Sequence, residues 1–264
     1  MPVDSSVASP TVPLIVPRRP PMRHPAEFPF LSVVVPTYNE AANIVPFLEA
    51  LRAGLDSAVS GGYEAIVVDD ESPDGTGELA TGISADWPSL RVVRRTRERG
   101  LASAVVRGWQ TARGDMLATI NADFQHPPWI LREMLRKIEN ADLVVATRYA
   151  AEGSVGRFPL HRQILSASAR HVGALLAPKV FGRVSDPLSG CYMFRRQVIE
   201  DIELRPTGFK TLIEVLARGR AENIVEYGYT MQERRSGRSN VKLRHWFEYL
   251  GQLGRIRSEI KRRR

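Results

Sequence analysis

The chain alternates short apolar runs with longer stretches in which apolar residues recur every three or four positions. Five apolar runs stand out, in order along the chain: LSVVV, YEAIVVDD, LRVVRR, DMLATI and ADLVVATRY. Runs this short, with few polar interruptions, are typical of strands buried on both faces of a parallel sheet. They predict five strands of one central sheet.

Segments with helical periodicity separate these runs. In EAANIVPFLEALRAGL one face would carry the apolar residues Ile44, Phe47, Leu48 and Leu51. LASAVVRGWQTARG predicts a helix that stops at Gly114, and PPWILREMLRKIEN predicts a helix with proline in its first turn. Strands and helices in alternation predict an α/β fold with a mostly parallel central sheet flanked by helices.

The two ends of the chain depart from this alternation. Residues 1–28 are rich in proline, which cannot continue a helix or a central strand, so we predict a flexible leader there. Residues 29–240 form the predicted catalytic domain. Residues 241–264 predict a basic helix with apolar residues at helical spacing: Trp246, Leu250, Leu253 and Ile256. Such a helix suits a membrane surface, and packing on the domain is the alternative.

Composition indicates the cellular setting. The 264 residues are 43% hydrophobic and 25% charged, as in ordinary globular proteins. The single cysteine, Cys191, excludes an intramolecular disulfide, and a reducing cytosol is the simplest setting. No apolar run approaches the ~20 residues that cross a bilayer, and the proline-rich start does not resemble a secretory signal.

The net charge of +8 favours anionic partners. Nucleic acid, an anionic membrane face and phosphorylated small substrates would all suit it. The basic residues form no recognised nucleic-acid-binding motif, so we expect no nucleic-acid partner.

Polar motifs follow the predicted strands where each strand ends. PTYNE follows the first strand, DDESPDGT the second, NADFQH the fourth and TRY the fifth. In open parallel sheets ligands bind beyond the carboxyl ends of the strands, so these motifs would share one rim. Neither G-x-G-x-x-G nor G-x-x-x-x-G-K-[ST] occurs, which disfavours dinucleotide and P-loop sites.

Two parts of this rim suit a nucleotide. Tyr38 can stack on a nucleobase, while Glu40, Asp69 and Asp70 can accept hydrogen bonds from base and ribose. Taken alone, DDESPDGT also fits a tight turn built from Asp, Pro and Gly. The occurrence of such motifs at successive strand ends favours the binding site over the turn.

The other two parts suit a diphosphate and a hard cation. Asp123 and Gln125, with Asn121, offer the oxygen ligands that Mg²⁺ or Mn²⁺ prefer. Arg148 would add charge-assisted hydrogen bonds to phosphate oxygens. Asn121 and Asp123 could instead cap the following helix, and His126 fits a structural role better than a ligand role.

The motifs as a set resemble family 2 glycosyltransferases of the GT-A fold and, more narrowly, the dolichol-phosphate or polyprenol-phosphate mannose synthases. Eight segments carry the resemblance, in order: VVVPTYNEAANI, IVVDDESPDGT, RRTRERGLASAVVRGWQTARGD, NADFQHPP, TRYAAEGSVG, SDPLSGCYMFRR, GFKTLIEVL and ERRSGRSN. They extend over most of the chain.

The resemblance implies roles for individual residues. It implies these residues for the donor nucleotide: Pro36, Tyr38, Glu40, Asp69, Asp70, Asn121, Ala122 and Asp123. The cation, Mg²⁺ or Mn²⁺, would be held by Asp123, Gln125 and the position of Asn121. Asp123 would act in catalysis with three arginines that meet the phosphates: Arg148, Arg162 and Arg234, the last on a closing flap. The segment 186–190 would shape the sugar pocket.

The implied reaction moves a sugar, with mannose from GDP-mannose favoured, to a polyprenyl or dolichyl phosphate. A phosphate monoester has a second pKa near ~6, so it is largely dianionic at pH 7 and already nucleophilic. Such a reaction needs no carboxylate general base and would invert the anomeric carbon. The enzyme would be cytoplasmic and peripheral at the cytoplasmic face of the membrane, where a membrane-protein partner is a second means of attachment.

Two residues depart from the family pattern. Asn121 stands where the family usually has aspartate, and Asn240 where it usually has lysine, with Lys242 two residues further on. Two alternatives stay open, the first because no short motif in such sequences identifies the donor nucleotide and the second because of these two changes. The donor could be a UDP-sugar, such as UDP-glucose or UDP-N-acetylglucosamine, with a lipid-phosphate or sugar acceptor. The chain could also be a non-catalytic protein that binds sugar nucleotides.

Overall fold

The computed structural model describes residues 14–18, 30–59, 62–156, 160–205, 207–237 and 243–262, with backbone only at 160–162 and 243–244. The strands are β1 (Leu14–Ile15), β2 (Leu31–Thr37), β3 (Tyr63–Asp69), β4 (Leu90–Arg94), β5 (Met116–Thr119), β6 (Leu143–Thr147), β7 (Tyr192–Arg195), β8 (Glu203–Leu204) and β9 (Ile224–Gly228). The helices are α1 (Ala41–Asp56), α2 (Thr76–Ser84), α3 (Leu101–Thr111), α4 (Ile130–Ile138), α5 (Leu160–Leu176), α6 (Pro178–Phe181), α7 (Thr211–Arg218) and α8 (Leu243–Arg262).

Seven strands form the central sheet, in the order β4-β3-β2-β5-β7-β6-β9. Neighbours pair in parallel except around β7, which is antiparallel to both β5 and β6. The other six strands therefore point the same way, and their carboxyl ends meet at one edge. All five strands predicted from apolar runs are present, and the predicted α/β class with a mostly parallel sheet is confirmed.

Helices cover both faces of the sheet, and the sheet separates the core into two apolar clusters, one on each face. On one face α1 buries its predicted apolar stripe: Ile44, Phe47, Leu48 and Leu51. On the other face Trp109 of α3 packs edge-on against Phe194 of β7, with ring centroids 5.2 Å apart. The sheet is thus buried on both sides, which explains why its strands read as continuous apolar runs.

Gly114 does not stop the third helix as predicted. α3 ends at Thr111, and Ala112 already has an extended backbone. A Cβ atom at Gly114 would lie 2.7 Å from the backbone nitrogen of Ser32, which is too close for any side chain. The glycine therefore allows the loop before β5 to pass against β2.

The prediction of a flexible leader over residues 1–28 is wrong for residues 14–16. β1 pairs antiparallel with β8, and Leu14 and Val16 are buried in the core. Their apolar side chains pack in the core beside α3 although prolines flank them in the sequence. The rest of the leader lies outside the described residues.

α8 forms where the basic helix was predicted, but its apolar face packs on the domain. Leu253 and Ile256 are buried and Trp246 is partly buried against the same core. Among the apolar residues of α8 whose side chains are described, Phe247 and Leu250 stay substantially exposed. The described helices include none with the length and hydropathy of a membrane span.

Candidate active site

The carboxyl ends of the parallel strands bring the predicted motifs to one edge of the sheet. Thr37 at the end of β2 lies in register with Asp69 at the end of β3. Backbone N–H groups after β2 donate to side chains after β3: Asn39 to Ser72 (3.0 Å), Glu40 to Thr76 (2.9 Å) and Ala41 to Asp74 (3.0 Å). PTYNE and DDESPDGT therefore form one continuous rim.

Asp69 is used inside the protein. It is fully buried and accepts hydrogen bonds from the Thr37 hydroxyl at 3.1 Å and from the Ser72 N–H at 2.9 Å. The Ser72 hydroxyl donates a third bond at 2.5 Å. Its carboxylate fixes the turn after β3, and contact of Asp69 with a nucleoside stays a prediction.

Asp70 ties the rim to the segment before α3. Its Oδ1 accepts from Arg95 Nε at 2.6 Å, and its Oδ2 accepts from the Gly100 N–H at 2.7 Å. Burial raises the pKa of Asp70, and the positive charge of Arg95 opposes that rise. In this conformation both predicted aspartates are paired within the protein.

Tyr38 keeps a partly exposed ring at the rim. The Arg99 guanidinium lies 5.9 Å from the centroid of that ring. The ring leaves room for a nucleobase to stack on Tyr38 with Arg99 beside it; nothing in the sequence singled out Arg99. Pro36 and Ala122 are both buried.

Asp123 and Glu40 share one cation, the guanidinium of Arg234. Arg234 Nη2 lies 2.8 Å from Asp123 Oδ2, and Nη1 lies 3.1 Å from Glu40 Oε1. Burial raises the pKa of both carboxyl groups, and the charge of Arg234 opposes this. Along the chain, 82 residues (positions 41–122, from α1 to the loop after β5) lie between the two acids. Their carboxylates nevertheless form one acidic site that binds a positively charged group.

The candidate cation ligands sit in a tight turn after β5. Phe124 has a left-handed backbone with φ of 61°, and the Gln125 N–H donates to Asp123 Oδ1 at 3.1 Å. The amide of Asn121 lies against Gly190, where a Cβ atom would be 2.7 Å from its Nδ2. Gly190 of the DPLSG segment therefore leaves room for the Asn121 side chain.

The chemistry of this site fits a divalent cation held jointly with a diphosphate. Among the described residues, no three His, Cys, Asp or Glu side chains cluster as a self-sufficient metal site. Mg²⁺ is commonly bound through one or two carboxylates together with substrate phosphates. The carboxylate of Asp123 and the amide oxygens of Gln125 and Asn121 match that pattern. In this structure the Arg234 guanidinium supplies the positive charge next to Asp123.

Arg234 belongs to a flap, residues 232–236, that lies on the turn after β5. The Arg235 guanidinium lies 5.2 Å from the centroid of the Phe124 ring. Three hydrogen bonds also hold the flap: Gln232 N–H to the Gln125 carbonyl (3.2 Å), Arg235 N–H to the Asp123 carbonyl (3.4 Å), and the Asn43 amide to the Ser236 carbonyl (3.2 Å). The flap is therefore closed over the carboxylate site.

Arg148, at the end of β6, is held by Asp186 of the DPLSG segment. Two parallel hydrogen bonds join them, Nε to Oδ2 at 2.8 Å and Nη2 to Oδ1 at 3.0 Å, and both side chains are largely buried. Burial lowers the pKa of Arg148, but the charge and hydrogen bonds of Asp186 more than offset this and hold it above its ordinary value. Asp186 thus positions Arg148 at the rim.

Two buried polar groups beside this pair lack hydrogen-bond partners among the described residues: His126 Nδ1 and the Tyr229 hydroxyl. Their rings stack with centroids 5.2 Å apart. Burial and the nearby charge of Arg148 lower the pKa of His126 to about 3, so the imidazole is neutral at pH 7. Buried polar atoms without partners mark a place where a ligand or ordered water binds.

Lys210, the residue before α7, is a further cation at the site that sequence reasoning missed. Its ammonium donates to the Leu188 carbonyl at 2.7 Å. Burial and the charge of Arg148 lower the pKa of Lys210 to about 8. The motif GFKTLIEVL was recognised, but neither periodicity nor strand-end position singled out its lysine.

Three residues from the sequence predictions cannot be placed in the site. Arg162 lies in α5, but its side chain is outside the described part of the structure. Asn240 and Lys242 also fall outside the described residues. Their roles stay predictions.

The mostly parallel α/β sheet brings acidic and basic side chains together at its carboxyl edge. Residues 32–203 match the family described as Glycosyl transferase family 2. The chain belongs to glycosyl transferase family 2.

Named relatives and a solved structure agree with this assignment. The chain is 41% identical over 228 residues to a dolichol-phosphate mannosyltransferase of Pyrococcus furiosus, covering 86% of this chain and 63% of the relative. It is 32% identical over 231 residues to a dolichol-phosphate mannosyltransferase of Saccharomyces cerevisiae, covering 84% and 85%. Glucosyl-3-phosphoglycerate synthase from Mycobacterium tuberculosis, solved with Mn²⁺, UDP and glucosyl-3-phosphoglycerate, has the same fold. Its TM-score is 0.59 at 23% identity, covering 92% of this chain and 84% of that chain.

Proposed function

We propose that this glycosyltransferase moves mannose from GDP-mannose to the phosphate of a polyprenyl or dolichyl lipid, with inversion at the anomeric carbon. The cation would be Mg²⁺ or Mn²⁺. The names of the Pyrococcus and yeast relatives support the sugar and the acceptor class. The chain spans 63% of the Pyrococcus relative's length, so that relative contains sequence with no counterpart in the match.

One observation carries the choice of a phosphate acceptor: three cationic side chains, Arg148, Lys210 and Arg234, gather at the site. Glu40 and Asp123 hold Arg234 and Asp186 holds Arg148, whereas no carboxylate of the described residues pairs with Lys210. A neutral sugar hydroxyl would give these cations no charge to bind. A lipid phosphate, dianionic near pH 7, needs only positioning and charge compensation.

The proposed roles follow from these contacts. When bound, the divalent cation would supply Lewis-acid stabilisation to the leaving diphosphate, held by Asp123, Gln125 and Asn121. Arg234, released from the two carboxylates, would bind the phosphates from the flap. Arg148 would donate to a phosphate from the guanidinium N–H groups that do not bind Asp186. A phosphate oxygen of the acceptor then forms the new bond to C1 of the sugar, and the bond from C1 to the diphosphate oxygen breaks with its electrons.

A UDP-sugar donor is the second candidate. The Mycobacterium tuberculosis structure was solved with UDP, and its likeness to this chain is in the fold. The rim offers a stacking tyrosine and paired acids that do not by themselves distinguish guanine from uracil. A non-catalytic protein that binds sugar nucleotides is the remaining alternative, and it would show binding without transfer.

The exposed part of α8 supports a peripheral position at the cytoplasmic face of the membrane. Phe247 and Leu250 are exposed near its start, and four basic residues are exposed towards its end: Arg255, Arg257, Lys261 and Arg262. Apolar residues can enter the lipid headgroup region while arginine and lysine meet anionic lipids. α5, which packs against α8, adds exposed Ile164 and Leu165.

An acceptor comparison tests the proposed reaction. Release of GDP from GDP-mannose would be measured with Mn²⁺ and a polyprenyl monophosphate, the matching polyprenol, or a free sugar. We expect release with the monophosphate alone, because the alcohols need a general base. Equal release with the polyprenol would contradict the phosphate nucleophile.

A further inference from the structure

We propose that the ammonium group of Lys210 binds the phosphate of the acceptor, which rests on the proposed function of the site. Lys210 precedes α7 and lies beneath the DPLSG segment, since it donates to the carbonyl of Leu188 at 2.7 Å. That single hydrogen bond leaves two of its three N–H donors available. No carboxylate of the described residues lies within ion-pair distance of its nitrogen.

Lys210 lies beside the pair of Arg148 and Asp186, because the Leu188 carbonyl that accepts its hydrogen bond is two residues from Asp186. In the sheet, β3 and β2 precede the rim motifs, β5 precedes the cation site, and β6, beyond β7, precedes Arg148. Asp123 in turn contacts Arg234, which reaches Glu40 at the nucleoside rim. Across the site the order is therefore nucleoside rim, cation site, then the group of Lys210, Arg148 and Asp186. A group attacking the sugar from the side opposite the diphosphate would approach this last group.

The charge balance of that group calls for an anion. Arg148 and Asp186 neutralise each other through two hydrogen bonds. The ammonium of Lys210 is then a positive charge without a carboxylate partner in the described part of the site. A partly buried charge of this kind is costly unless it is compensated. A phosphate dianion would compensate it, and would accept the two remaining N–H donors.

The donor phosphates are a poorer match for Lys210. Their expected position is at Asp123 and Gln125, where the cation and Arg234 supply positive charge. The acceptor phosphate needs a separate cation, because two anionic substrates must approach within bonding distance of one carbon atom. Lys210 would lower that repulsion and orient the attacking oxygen, with no proton transferred by the lysine.

Binding of a short-chain prenyl monophosphate in the presence of GDP and Mn²⁺ tests this directly, without turnover. Isothermal titration would compare the wild-type chain with Lys210→Gln, Lys210→Arg and the control Lys179→Gln, an exposed lysine of α6. Hydrogen bonds between charged groups are stronger than those between neutral groups. We therefore expect Lys210→Gln to weaken prenyl phosphate binding by at least roughly tenfold. Lys210→Arg should recover part of it, and Lys179→Gln should leave it unchanged.

Two readouts separate a binding role from a structural one. GDP binding should be the same in the wild-type chain and in Lys210→Gln, which shows an intact donor site. Wild-type affinity for the prenyl phosphate should fall as pH rises through about 8, since the ammonium of Lys210 then loses its proton. In Lys210→Gln that fall should be absent.

Several results would overturn the proposal. Unchanged prenyl phosphate binding by Lys210→Gln would remove Lys210 from the acceptor site while leaving the proposed reaction intact. Weakened GDP binding with unchanged prenyl phosphate binding would assign Lys210 to the donor. No prenyl phosphate binding by the wild-type chain would reject both this proposal and the phosphate acceptor.

Discussion

At the scale of single residues, the site is built from charges that hold one another. The pair of Arg148 and Asp186 shows the principle, since both partners are largely buried and joined by two hydrogen bonds. Such a pair adds little net stability compared with an apolar pair, but losing one partner leaves a buried charge uncompensated. Its value lies in holding a guanidinium in one orientation at the rim.

We predict that Asp186→Ala lowers the free energy of unfolding by about 3–5 kcal/mol. The cost comes from the buried Arg148 guanidinium that loses its carboxylate. Urea unfolding of the wild-type chain and of Asp186→Ala measures this difference in the free energy of unfolding. The matched control is Glu133→Ala, which breaks the exposed pair of Glu133 and Arg136 on α4 and should cost no more than about 1 kcal/mol.

A loss of less than about 1 kcal/mol in Asp186→Ala would contradict this account of the pair. The double variant Arg148→Met with Asp186→Ala should be less destabilised than the two single losses added together, because it leaves no buried charge behind. Additive losses would argue that the two side chains act independently.

At the scale of elements, the flap of residues 232–236 is the part whose position bears most on binding. Arg234 bridges Asp123 and Glu40, so the ligand-free site already contains a positive charge. A divalent cation that binds Asp123 must compete with this guanidinium. The flap therefore has to give up its contacts before cation and donor can bind together.

We predict that Arg234→Gln tightens Mn²⁺ binding in the absence of nucleotide by on the order of tenfold, or about 1.4 kcal/mol. Electron paramagnetic resonance of free Mn²⁺ measures it. Arg235→Gln is the matched control, since it removes the same charge from the same flap but contacts the Phe124 ring and no carboxylate. Equal or weaker Mn²⁺ binding by Arg234→Gln than by Arg235→Gln would contradict the competition.

We also predict that Phe247→Ser together with Leu250→Ser lowers the affinity of the chain for anionic phospholipid vesicles. Both side chains are exposed on α8, and each would lose the apolar burial that anchors it. A vesicle sedimentation assay should show a drop of several-fold. The control Leu79→Ser changes an exposed leucine of α2, on the other face of the sheet, and an equal drop there would rule out a specific role for α8.

Element patterns were the most predictable part of this chain. The strand runs and the apolar stripe of α1 were read correctly because one local pattern decides each of them. Burial of Leu14 and Val16, and the packing of Leu253 and Ile256, depend on partners far away in sequence. Local composition therefore gave a flexible leader where residues 14–16 are buried, and it left open whether the apolar face of α8 packs on the domain.

Part of the site's geometry was also predictable. Strand-end position predicts that Glu40 and Asp123 lie at one edge, and both contact Arg234. The functional roles of these residues and of Arg148 stay predictions. A sequence does not show that Thr37 and Ser72 already use the carboxylate of Asp69. Lys210 was missed since its segment precedes a helix and follows no strand of the predicted rim.

At the scale of the whole molecule, one edge of a parallel sheet collects four separate motifs into a single site. The nucleoside rim, the cation site and the group around Arg148 lie in that order, and the flap closes over the middle. Membership of glycosyl transferase family 2 agrees with this arrangement. The arginine and lysine side chains there supply the positive charge that the proposed reaction between two anionic substrates requires.

The most direct test is transfer of labelled mannose from GDP-mannose to a polyprenyl phosphate by the wild-type chain with Mn²⁺. The account predicts label in the organic phase, and a loss of at least roughly a hundredfold in Asp123→Ala, which removes the carboxylate of the cation site. Absence of transfer from GDP-mannose, with transfer from UDP-glucose under the same conditions, would contradict the mannosyl donor. Undiminished transfer by Asp123→Ala would contradict the assigned cation site.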